Sequence, residues 1–209
     1  MRLSLEVAAL AVALALVPGT LLGYALARGR FRGRALVDAL VLLPLVLPPS
    51  VIGYLLLVLL GSGGPVGRLT GWHIPFTFPA AVIAATVVAL PLFAKTAQAA
   101  LSQVALDLEE LAYTLGMSRV RTFWKVTLPL AWRGLLAATV LAFARALGEF
   151  GATLMFAGNL PGRTNTLPLE IYTAYLTGDN ERALLLVAIL SAFSLGVVLV
   201  ANRLGRNAL

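Results

Sequence analysis

Cysteine is absent from this 209-residue chain, which removes disulfides, zinc–thiolate sites and thiol nucleophiles from consideration. Histidine is nearly absent too. His73 stands alone and cannot build a multi-histidine metal site, so no metal centre is expected. Charge is scarce: 12% of residues are charged and 60% are apolar, against about 25% and 45–50% in soluble domains. With a mean hydropathy of +0.93, the composition excludes an ordinary water-soluble domain. Lysine is confined to Lys95 and Lys125, and neither follows the glycines of a phosphate-binding loop, G-x4-G-K-[ST]. The chain therefore carries no recognisable ATPase site of its own.

What is present is apolar sequence in long runs. Residues 3–27, 35–60, 78–100, 130–147 and 183–201 are nearly free of charge, and each is 18 to 26 residues long. That is enough for a helix to cross the hydrocarbon core, and helix is the form in which an isolated segment satisfies its own backbone in lipid. The expectation is an all-α, polytopic membrane protein: one permeating domain over residues 1–209, five spans, and a polar segment at 101–129. A cleaved signal peptide is the weaker reading of the first run, because the apolar stretch continues to Ala27 and dense arginines follow.

The basic residues are placed unevenly. If the spans alternate, Arg28, Arg30, Arg32, Arg34, Lys95, Arg119, Arg121, Lys125, Arg133, Arg203 and Arg206 share one side. Arg2, Arg68, Arg163 and Arg182 lie on the other. Eleven against four orients the N-terminus outside, with the C-terminus and 101–129 in the cytoplasm. The RGRFRGR cluster then reads as a topology anchor, and no nucleic acid partner is expected.

Prolines concentrate in the second run. Pro44, Pro48 and Pro49 each remove a backbone hydrogen bond, and broken helix at membrane depth is tolerated where it lines a cavity or is buried in protein. Pathway lining and a simple packing kink both remain open. Gly19 and Gly23 form a GxxxG pair that permits close helix approach. The stretch 149–182 reads as broken, partly re-entrant chain plus an external loop.

The 101–129 segment carries the clearest local design. Leu108, Leu111, Ala112 and Leu115 recur at helical spacing as one apolar stripe. Asp107, Glu109 and Glu110 occupy the first turn, where they suit the helix dipole. Gly116 is suited to a left-handed stop, and Ser118 to capping a second short helix. Thr127 and Pro129 read as the start of the fourth span. The expected unit is helix, sharp turn, helix, joined rigidly to a membrane helix.

Glu110, Ala112 and Gly116, followed by Val126, Leu128 and Pro129, resemble the EAA loop (E-A-A-x3-G-x9-I-x-L-P) of ABC importer permeases. Leu111 stands where alanine is usual, and Val126 replaces isoleucine. Leu42–Gly61, Leu141–Tyr175 and the five-span layout resemble the permease subunits of molybdate importers over nearly the whole chain. Sulfate importer permeases share a similar ARALGEFG stretch and are the runner-up. The resemblance implies a type I importer fold (methionine/molybdate-permease-like) acting as a homodimer around a central path. It also implies two cytoplasmic ATPase subunits that hold the ATP and Mg, with no cofactor on this chain. Glu110, Leu111, Ala112, Gly116, Val126, Leu128 and Pro129 would couple to those subunits. An external binding protein would deliver an oxyanion, molybdate or tungstate.

Arg145 and Glu149 stand four residues apart near the end of the fourth run, on one helical face. An attractive charge on the anion's route and a structural lock are both possible roles. The lock is preferred, because conduction requires weak binding. A membrane enzyme or assembly factor is the remote alternative. His73, Glu170, Asp179 and Glu181 show no catalytic spacing, and an assembly protein has no need of the 101–129 unit.

Overall fold

Each apolar run forms helix, and no strand occurs among the described residues of the computed structural model, which cover 1–206 (backbone alone for 204–206). The 1–209 domain expectation therefore extends three residues beyond the described chain. Five segments are long and apolar enough to cross a membrane: Arg2–Arg28, Pro49–Thr70, Phe78–Ser102, Arg119–Leu147 and Asn180–Arg203.

Helix α1 (Arg2–Arg28) buries Ala8, Ala11, Ala15, Gly19, Gly23 and Leu26 on one stripe. The second run is not a single helix. It divides into α2 (Arg34–Val46) and α3 (Pro49–Leu60), with Leu47 and Pro48 extended between them. Two consecutive prolines account for the break: each pushes the residue before it out of the helical region, so both Leu47 and Pro48 are excluded. Pro44 lies inside α2 without ending it. A short α4 (Pro65–Thr70) follows.

Helix α5 (Phe78–Ser102) begins where Thr77 Oγ1 accepts from the Ala80 amide, with Pro79 in the first turn. It occupies the centre of the molecule, and Ala80, Ala81, Ala84, Ala85, Ala89, Phe93, Ala94 and Ala97 are fully buried. After α6 (Leu106–Thr114) and α7 (Arg119–Thr122), a π-helical turn (Phe123–Thr127) leads into α8 (Leu128–Leu147). The chain ends with α9 (Gly151–Ala157), α10 (Leu167–Leu176) and α11 (Asn180–Arg206).

Small residues set the packing, as expected where lipid supplies no hydrophobic drive between helices. A Cβ on Gly19 would lie 2.3 Å from Phe93 Cδ1, and one on Gly23 would lie 3.0 Å from the Gln98 amide nitrogen, so the GxxxG pair seats α1 on α5. Gly134 seats α8 on α5 in the same way: its Cβ would lie 2.4 Å from Ala100 Cβ. The 149–182 stretch resolves into α9, wedged against α3 and α5, and α10, which joins α11. Gly53 lets α3 meet α9, where a Cβ would fall 2.7 Å from the Ala152 carbonyl oxygen. Ser4 Oγ accepts from the Leu167 amide at 2.7 Å and ties α10 back to α1.

Overpacking a well-filled interface costs about 1–3 kcal/mol. Gly23→Val should therefore lower the thermal stability of the purified protein in detergent. Gly196→Ala, at a position with nothing within 4 Å of the added atom, should not lower it, since alanine is the better helix former by up to about 1 kcal/mol.

Candidate functional site

Helix α6 lies across the end of the helix bundle. Its C-terminus is a Schellman stop: Gly116 takes φ 79°, the Met117 amide donates to Ala112 O at 3.0 Å, and the Gly116 amide donates to Tyr113 O at 3.0 Å. Ser118 then caps α7, its Oγ accepting from the Arg121 amide at 3.4 Å. Both expected caps are present. The leucine stripe faces outward: Leu108, Leu111 and Leu115 are exposed, Leu115 by 74%. The face turned to the bundle carries Glu109 and Ala112.

Glu109 is 3% exposed and is the anchor of the segment. Its Oε1 accepts from Arg28 Nε at 3.1 Å and from Thr127 Oγ1 at 2.8 Å. Arg28 Nη2 lies 3.1 Å from the same oxygen and donates to the Val104 carbonyl at 2.6 Å. One carboxylate thus joins the end of α1, the turn after α5, and the head of α8. Tyr24 of α1 adds an edge-on ring contact to Phe123 at 4.9 Å. A buried carboxylate is stable only when paired and hydrogen-bonded, and Glu109 is both.

The expected helix start at Thr127 and Pro129 is not observed. Thr127 is helical and fully buried, and α7, the π turn and α8 follow one another without interruption. The wide turn accommodates the proline, which brings no amide of its own: the Leu128 amide bonds back to Phe123 O, five residues away. The joint is therefore continuous helix, stiffer than a capped junction. Of the motif residues, Ala112 is buried, Val126 and Leu128 are half-buried, and Glu110, Leu111, Gly116 and Pro129 are exposed.

At the far end of α8, Arg145 Nη1 meets Glu149 Oε2 at 2.8 Å. The other oxygen of Glu149 accepts from the Ala152 amide at 2.8 Å and so caps the start of α9. Glu149 is 3% exposed. The α2–α3 break adjoins this region, for a Cβ on Gly151 would lie 3.1 Å from Pro49 Cβ. The structure thus brings Pro48, Pro49, Arg145 and Glu149 around α9, while Pro44 lies apart within α2.

Residues 19–207 match the family described as the binding-protein-dependent transport system inner membrane component. The chain belongs to this family. It is similar to the molybdenum transport system permease protein ModB of Escherichia coli (strain K12), 44% identical over 98% of this chain and 91% of that protein. It is also similar to the putative molybdenum transport system permease protein YvgM of Bacillus subtilis (strain 168), 43% identical over 87% and 82%. The probable molybdenum ABC transporter permease protein HVO_B0370 of Haloferax volcanii is 43% identical over 98% and 74%. Two solved structures share its fold. One is the inward-facing MetNI methionine ABC transporter, with a TM-score of 0.75 and 19% identity over 100% of this chain and 94% of that one. The other is an amino acid ABC transporter with histidines, with a TM-score of 0.69 and 19% identity over 99% and 91%. As a member of this family, the chain is a multi-pass importer permease, a transport subunit rather than an ATPase.

Sequence reasoning gave this permease's Glu109 only a helix-dipole role and its Arg28 only a topology role. Ala112, which the spacing places on the leucine stripe, is buried with Glu109 instead. Removing one partner of a buried ion pair costs about 3–5 kcal/mol. Glu109→Leu should therefore strongly destabilise the purified permease to denaturant, and Arg28→Met added to it should recover part of the loss. Glu110→Leu, at an exposed position, should stay within about 0.5 kcal/mol; equal losses at 109 and 110 would contradict the anchor.

Proposed function

We propose that this permease moves molybdate, or the isosteric tungstate, into the cytoplasm as a homodimer driven by two separate ATPase subunits. The cargo rests on the relatives, which at 42–44% identity are named for molybdenum transport. Sulfate is the less supported cargo. The coupling role rests on one geometric observation: an exposed leucine stripe on a helix that is itself anchored to α1 and α8. An amphipathic helix with its apolar face turned out fits a groove on a partner, and the anchor would pass the partner's movement to the spans.

In this reading α6 and the arginine-rich loops face the cytoplasm, by the charge asymmetry of the loops. Closing of the ATPase pair, which binds the ATP and Mg, displaces the two α6 helices. The spans then rock to open the central path outward, where a loaded oxyanion-binding protein docks on the 61–75 and 158–179 loops. Glu110, Leu111, Ala112 and Gly116 form the docked hairpin, and Val126, Leu128 and Pro129 form its link to α8. The break at Pro48–Pro49, with Pro44 one turn before it, borders the path beside α9. Arg145 and Glu149 act as the lock that holds α9 to α8.

Reconstituted in liposomes with its ATPase and binding protein, the complex should show ATP hydrolysis stimulated by molybdate and tungstate. Stimulation by sulfate alone would overturn the cargo. The lock is tested by comparing Arg145→Gln with Arg145→Gln/Glu149→Gln. The single variant leaves a buried carboxylate unpaired and should fold poorly, and the double variant should regain folding and transport. If the double variant folds but does not transport, Arg145 attracts the anion and the lock reading is wrong.

A further inference from the structure

Helix α6 has two opposed faces. At 100° per residue, Leu108, Leu111 and Leu115 point one way, and Leu106, Glu109, Glu110 and Tyr113 point the other. The second face forms one wall of a groove of about 1040 Å³, completed by the last turns of α1 and by α7 with the π turn. A partner seated on the leucine stripe leaves this groove uncovered.

Charge and depth define its chemistry. Arg28 is committed to Glu109 and the Val104 carbonyl. Arg30, Arg34 and Arg119 line the mouth, are exposed, and have no carboxylate partner in an ion pair among the described residues. Glu110 is the one further acid on the walls. Away from the mouth the lining is apolar: Leu21 and Ala25 follow α1 into the bilayer, Leu21 about 10 Å deeper than Arg28 at 1.5 Å per residue. Trp124 and Tyr24 also line the groove, and such aromatic side chains favour the membrane interface. A small soluble anion would use only the mouth. A molecule with a phosphate at the membrane surface and a hydrocarbon tail below it uses the whole groove.

We propose that this groove binds one anionic phospholipid of the leaflet on the α6 side, its phosphate held by Arg30, Arg34 and Arg119 and an acyl chain lying along Leu21 and Ala25. The lipid bridges α1 to α6 and α7 beside the Glu109 anchor and so stiffens the coupling segment. The inference rests on the chain's place in a membrane and not on its cargo.

The test is lipid extraction and mass spectrometry on the full permease–ATPase complex, purified from membranes that contain both phosphatidylglycerol and phosphatidylethanolamine. Arg30→Gln/Arg34→Gln/Arg119→Gln should reduce retained phosphatidylglycerol, with affinity falling by about fivefold per arginine and on the order of a hundredfold for three. Retained phosphatidylethanolamine should not change. Arg32→Gln, in the same basic cluster but outside the groove, should behave as wild type. Undiminished retention in the triple variant, or an equal loss in Arg32→Gln, would overturn the proposal. For the unaltered complex in phosphatidylcholine nanodiscs, adding phosphatidylglycerol should slow hydrogen exchange over residues 106–113. No slowing, or equal slowing by inorganic phosphate or molybdate without the lipid, would also overturn it.

Discussion

Close approach between α1 and α5 is the contact on which the rest depends. Lipid tails are as apolar as leucine, so burying leucine between helices gains little, and association relies on backbone proximity and van der Waals contact. Alanines and the two glycines of α1 supply that proximity along a 27-residue helix. With α1 and α8 both seated on α5 and touching each other, the molecule has a fixed centre. Everything at the polar end follows from that register, including the meeting of Arg28 with Glu109.

Glu109 turns that register into a mechanical link. Its one oxygen takes donors from α1 and from the head of α8, so α6 cannot shift without straining both. The low dielectric that strengthens these hydrogen bonds also makes an unpaired carboxylate costly. Opening the clasp is therefore disfavoured. Glu110, one residue on and facing the groove, carries no such constraint. The two adjacent acids of the groove side thus differ in burial, Glu109 covered and Glu110 exposed.

The elements legible in the sequence were those fixed locally. The presence of five spans follows from length and apolarity, and the stops at Gly116 and Ser118 follow from the chemistry of single residues; these agree with the structure, whereas the bounds of the second span do not. Pro44, Pro48 and Pro49 left a break and a packing kink both open; the chain breaks at Leu47–Pro48, because each of the last two prolines also restricts the residue before it. Thr127 and Pro129 were read as a helix start and lie within continuous helix, because a π turn relieves the missing amide. Burial of Glu109 rather than of the leucines was not legible. It depends on where α1 ends relative to α6, which the spacing of residues in α6 does not encode.

Helix α8 is held at both ends by a buried carboxylate. Glu109 grips its head through Thr127, and Glu149, 40 residues later in the chain, closes its tail against Arg145 and the first turn of α9. Between them lie 20 residues of α-helix, about 30 Å at 1.5 Å per residue. A strut clamped at both ends transmits displacement as rigid tilt rather than by bending. At the π turn the hydrogen-bond ladder changes from four-residue to five-residue steps, and Pro129 contributes no amide. Thr127, the residue bonded to Glu109, lies within that turn. The anchor thus meets the chain inside the turn where the hydrogen-bond step changes, while Glu149 fixes the opposite end of α8 to α9.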